Sequence, residues 1–175
     1  MKNDILKIVF QLKGRKIFVN RYLDLIQTFI KDQINFDFLI IRDLNTKTDK
    51  KKLNLTNKII IRKSGLKYNI NGINDIFKSI LINTKILKNY KYLCFVEDDN
   101  FVFPNGLSKC KEFMENNSSF ISSNGKSFLI SKKKNYYYLN HYNLPNTINS
   151  KKLIKRARQY KGGIFYYSLF KRSTF

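Results

Sequence analysis

The chain has 175 residues, with 34 Lys and Arg against 12 Asp and Glu, giving a formal net charge of +22. That length suits one domain around a single core, and an apolar content of 43% excludes an intrinsically disordered chain. No apolar run approaches the ~20 residues of a transmembrane helix, and Met1-Lys2-Asn3-Asp4 leads into no signal-peptide core.

Such an excess of Lys and Arg raises the local potential and speeds association with polyanions, either nucleic acid or an anionic membrane. The simpler origin is compositional. The chain is rich in Lys, Asn, Ile, Phe and Tyr, contains one alanine (Ala157), and so follows A/T-rich codons whatever its function. Cys94 and Cys110 are too few for a disulfide framework, and a reduced, cytoplasmic setting is expected.

In chain order, Leu6 to Leu12 reads as a first strand, and Lys13-Gly14-Arg15 as the turn leaving it. Phe18, Tyr22, Ile26 and Phe29 recur at helical spacing and predict an amphipathic helix from about Lys16 to Lys31. Phe36 to Ile41 is a second strand, apolar on both faces as in a parallel sheet, and it leads into Arg42-Asp43. The Lys-rich stretch 45–57 reads as a loop or frayed helix, and Lys58 to Ile61 as a short strand. Ile73, Phe77, Ile80, Leu81, Thr84 and Leu87 mark one helix, with Asn74 as its N-cap.

Tyr92 to Val96 is the next strand, and it runs directly into Glu97-Asp98-Asp99-Asn100. Leu107, Cys110, Phe113 and Met114 predict a helix from about Asn105 to Asn116. Asn124-Gly125 then predicts a hairpin pairing Phe120–Ser123 with Ser127–Ile130. Lys132 to Asn143 is basic and tyrosine-rich, Lys151 to Tyr160 reads as a basic helix, and Ile164 to Phe170 as an aromatic strand. The order of elements predicts an α/β domain: a mostly parallel central sheet flanked by helices, with a β-hairpin in the second half.

Three of the twelve acidic residues stand side by side at Glu97-Asp98-Asp99. Clustered carboxylates repel, and a divalent cation offsets that repulsion. Oxygen-only ligands point to Mg²⁺ or Mn²⁺, which bind through one or two carboxylates plus substrate phosphates. The bland alternative is an acidic turn near the N-terminus of the following helix, favourable without a metal. Gly14-Arg15, Asp43 and the acidic cluster all fall just past strand ends, where ligands bind in parallel sheets.

An apolar strand followed by Glu97-Asp98-Asp99-Asn100-Phe101-Val102-Phe103-Pro104-Asn105-Gly106-Leu107 resembles the metal-binding segment of GT-A glycosyltransferases related to family 2. A group of bacterial glycosyltransferase-domain proteins is similar over nearly the whole chain. Leu12 to Arg15, Arg21-Tyr22-Leu23, Asp43 and the late Tyr166-Tyr167-Ser168-Leu169-Phe170-Lys171-Arg172 segment carry that similarity. The resemblance implies a GT-A-like fold and metal-dependent transfer of a sugar from a nucleotide-sugar donor to a saccharide, lipid or protein acceptor. It implies that Asp99 and Glu97 serve the metal, that Glu97 or Asp98 contacts the donor ribose or metal-bound water, that Asp43 meets the base, and that Gly14-Arg15 borders the nucleotide.

Two departures from the family pattern stand out. Glu97 occupies a position where aspartate is commoner, and no Asp or Glu follows Glu115, although the pattern draws its general base from that half. His141, the sole histidine, is the one candidate neutral-pH base of that half, the alternative being a surface-loop histidine. The expectation is one domain over 1–175, with a donor- and metal-binding part over 1–117 and a shortened acceptor-side part over 118–175. Peripheral contact with an anionic membrane at its inner face is a further expectation. The competing classes are a basic nucleic-acid-binding module using Lys/Arg and tyrosine stacking, and a degenerate donor-binding half of a transferase.

Overall fold

The computed structural model describes residues 4–11, 20–25, 36–42, 59–66, 70, 73–125, 127–133, 136–142 and 168–174. The strands are β1 (Ile5–Phe10), β2 (Phe36–Arg42), β3 (Ile59–Lys63), β4 (Tyr92–Glu97), β5 (Ser122–Asn124), β6 (Ser127–Lys133), β7 (Tyr136–Tyr142) and β8 (Ser168–Lys171). The helices are α1 (20–25), α2 (Ile73–Ile82), α3 (Thr84–Leu87) and α4 (Pro104–Asn116).

Among the described residues, six strands form one sheet in the order β3-β2-β1-β4-β8-β5. β1, β2, β3 and β4 are mutually parallel, whereas β8 runs antiparallel to both β4 and β5. All six residues of β1 are buried, as a parallel strand covered on both faces requires. Ile5 and Val9 point to the face where Tyr22 and Leu23 of α1 and Leu107, Cys110 and Met114 of α4 pack. Leu6, Ile8 and Phe10 point the other way, against Ile76 and Ile80 of α2 and Leu87 of α3. The molecule is thus an α/β layered structure with a mostly parallel sheet between helices.

Local chemistry sets the element ends. Pro104 opens α4, where its fixed φ suits the first turn and its missing N–H leaves nothing unsatisfied. The continuous helix expected from Ile73 to Leu87 is broken at Asn83. There the side-chain amide donates to the Ser79 carbonyl at 2.8 Å, and the backbone N–H is shared between Ser79 and Ile80. That local bond competes with the helical ladder. Asn74 lies inside α2 rather than capping it.

The hairpin around Asn124-Gly125 does not form. β5 pairs antiparallel with β8, and β6 instead pairs with β7 in a separate two-stranded sheet. A two-residue Asn-Gly hairpin needs glycine at positive φ; among the described glycines only Gly65 has it, at φ 76°. A hairpin does stand in the second half, but it is β6–β7. The stretches 45–57 and 151–160 lie outside the described residues, as do Tyr166 and Tyr167.

Candidate functional site

The strand order reverses between β1 and β4: β2 and β3 lie to one side of β1 and β4 to the other. In open α/β sheets the crevice outside the carboxyl ends at such a switch point is where ligands bind. Glu97, the last residue of β4, is in register with Phe10, the last residue of β1. Beyond this rung the two flanks of β1 are claimed by different neighbours. Asp98 donates its backbone N–H to the Phe10 carbonyl at 3.1 Å, while Gln11 donates its own to the Ile41 carbonyl of β2 at 2.9 Å. The acidic cluster therefore sits at the mouth of the switch point.

Its three carboxylates have different environments. The Asn100 backbone N–H donates to the Glu97 carbonyl at 3.2 Å, closing a tight turn over residues 97–100. Glu97 is half-buried, Asp98 is buried at 3% exposure, and Asp99 is exposed. The Asn100 side-chain amide donates to Asp99 Oδ1 at 2.8 Å and orients that carboxylate. Among the described residues no three His, Cys, Asp or Glu side chains converge as a metal cage. Glu97 and Asp99 suit a hard divalent cation in the other mode, in which one or two carboxylates share the ion with waters and substrate phosphates.

No family model matches the chain, and no curated protein matches it.

Gly14, Arg15 and Asp43 lie outside the described residues. The strands they follow, β1 and β2, end on the same edge as Glu97, because all three strands are parallel. His141 lies on β7, in register with Phe128, in the two-stranded sheet rather than in the six-stranded one. Cys94 and Cys110 are both free and buried, as a core reading of them expects. Among the described residues no helix is long and apolar enough to cross a membrane.

One residue beside the site escaped the sequence reading. Lys7, in the middle of β1, is 1% exposed. Its Nζ donates to the Val102 carbonyl at 3.3 Å and lies 4.8 Å from the Phe101 ring centroid, 5.1 Å from Tyr22 and 5.7 Å from Phe38. Burial lowers its pKa to about 8. A signal was present: a strand apolar on both sides of one lysine, in a sheet covered on both faces, must bury that lysine.

Proposed function

We propose that this chain binds a nucleotide-sugar donor with Mg²⁺ or Mn²⁺ and transfers the sugar to an acceptor, as a GT-A-like glycosyltransferase. The observation that carries this reading is the acidic turn Glu97-Asp98-Asp99 at the β1–β4 switch point, where a parallel sheet offers its ligand crevice. The resemblance of the segment Glu97 to Leu107 to the metal-binding segment of GT-A glycosyltransferases supports it independently.

In this reading Asp99, exposed and oriented by Asn100, and half-buried Glu97 hold the metal and orient the donor diphosphate. Asp98 ties the turn to β1 through its backbone N–H on the Phe10 carbonyl. The cation, when bound, stabilises the charge that develops on the departing nucleoside diphosphate. The resemblance assigns Gly14-Arg15 and Asp43 to the nucleotide.

The test is thermal stability of the chain against a panel of nucleoside diphosphates and nucleotide sugars, with and without Mn²⁺. A ligand that binds only the folded state adds about 2.7 kcal/mol at a hundredfold excess over its Kd. A metal-dependent rise with one nucleotide is expected. No rise with any of them in a folded chain refutes the reading.

A second reading rests on Tyr137, which is 72% exposed on β7 and directly opposite Lys132 in register. An exposed ring beside a lysine run suits base stacking in a nucleic-acid-binding module. That reading expects metal-independent affinity for single-stranded nucleic acid with a steep salt dependence, indifferent to Asp99.

A further inference from the structure

Lys7 occupies a position that a methionine of similar volume would fill without desolvating an ammonium. Replacing buried charges by apolar side chains is often neutral or stabilising, so a buried cation calls for another explanation. Lys7 forms no ion pair with a carboxylate among the described residues, and no carboxylate contributes to its pKa shift. Among the described residues its charge is stabilised by one carbonyl and three aromatic faces.

The origin of those partners is informative. Tyr22 belongs to α1 and Phe38 to β2, both fixed parts of the core. Phe101 and Val102 belong to the segment between β4 and α4, immediately after Asp99-Asn100. The start of that segment is held by the Asp98 N–H on Phe10 and the Asn100 N–H on Glu97. Its far end is held by the Gly106 and Leu107 N–H groups on the Phe103 carbonyl. Between these anchors the Lys7 ammonium ties residues 101 and 102 to the sheet.

We propose that Lys7 is a positioning residue: by holding Phe101 and the Val102 carbonyl against β1, it fixes the turn that presents Glu97 and Asp99 to the donor and its metal. The effect on binding rests on the glycosyltransferase reading, whereas the tie on the loop does not.

The test is Lys7→Met, read in three ways. Amide hydrogen exchange at residues 99–103 is expected to quicken by about tenfold or more, with β1 and β4 unchanged and the unfolding midpoint not lowered. The Kd for Mg²⁺ with the nucleoside diphosphate that the parent chain binds is expected to weaken about tenfold, or about 1.4 kcal/mol. The parent's affinity is expected to fall between about pH 7 and 9 as Lys7 loses its proton, while Lys7→Met stays flat. Among the described residues, the titratable groups facing Lys7 are Tyr22 on α1 and Cys94 on β4, with Cys110 on α4 in the same cluster. Burial raises all three, so each keeps its proton over most of that window.

Unchanged exchange at 99–103 overturns the proposal, and so does acceleration spread equally over β1 and β4. Should Lys7→Met not fold, Phe101→Leu removes the closest ring of the cage from a half-buried position and is judged by the same exchange criterion. If the parent chain binds no nucleoside diphosphate, the transferase reading falls by itself, and exchange alone decides whether Lys7 holds the loop.

Discussion

The backbone N–H of Asp98 donates to the carbonyl of Phe10 at 3.1 Å, which makes the acidic turn the last rung of the β1–β4 ladder. The turn is thereby anchored to two central strands, and its side chains divide by depth. Asp99→Ala, at an exposed position, should change stability by no more than about 0.5 kcal/mol. It should also abolish metal-dependent nucleotide binding. Asp98→Ala empties a buried position and should cost about 0.5–3 kcal/mol in urea unfolding. Equal stabilities for the two variants would show that the buried position is not structural.

Gly65 follows β3 at φ 76°, and a Cβ built there would lie 2.8 Å from Ile82 Cγ2. Both the left-handed backbone and the contact disfavour a side chain. Gly65→Ala should lower stability by about 1–3 kcal/mol, whereas Gly125→Ala, with open space around it, should be nearly silent. Thermal unfolding of the pair checks this.

Stability should depend on pH in the alkaline range. Burial lowers Lys7 to about 8, so between there and the ordinary lysine range the unfolded chain binds more protons, and stability rises with pH. Cys94 acts in the opposite sense. Burial pushes its thiol up to about 12, so the unfolded chain ionises first and stability falls above the ordinary thiol range. Tyr22 and Tyr90, both raised by burial, add to that fall at higher pH. The sum is a maximum near pH ~9, given ordinary thiol and lysine values of about 8.5 and 10.4. Lys7→Met should erase the rising limb and leave the falling one, as denaturant midpoints across pH would report.

The Tyr90 hydroxyl donates to Asp37 Oδ2 at 2.7 Å, joining the start of β2 to the segment before β4. A hydrogen bond to a carboxylate is stronger than a neutral one, so Tyr90→Phe should cost about 1–3 kcal/mol. A double-mutant cycle with Asp37→Asn should return a coupling energy of at least about 0.5 kcal/mol. Additive losses would mean that the bond contributes nothing in solution.

The parallel half of the fold was legible in the sequence because its signals are local and redundant. β1, β2 and β4 are apolar runs of strand length, and α4 carries Leu107, Cys110 and Met114 at helical spacing after Pro104. The second half misled because Asn124-Gly125 is a strong local hairpin signal that tertiary pairing overrode. β5 found its partner in β8, more than 40 residues further along the chain, and no short-range pattern encodes such a pairing. Similarly, Asn83 sits where helical periodicity continues on both sides, and only its side-chain bond to Ser79 reveals the break. At the site, adjacency of the carboxylates was visible, but their depth was not. Whether Asp98 or Asp99 faces inward depends on the turn closed by Asn100.

The antiparallel insertion of β8 bears on the order of assembly. Residues 168–171 supply the partner for one edge of β4 and for the whole of β5. During synthesis, β1 to β4 can join as soon as they emerge, yet the β4 edge stays open until the last described strand arrives. An open edge on a central apolar strand is a template for pairing with other chains. Closing it late in a long-range step is slow, because the entropy of bringing distant parts of the chain together is lost before the pairing is gained. Chains that stop short of Ser168 should therefore accumulate as aggregates rather than as smaller soluble domains.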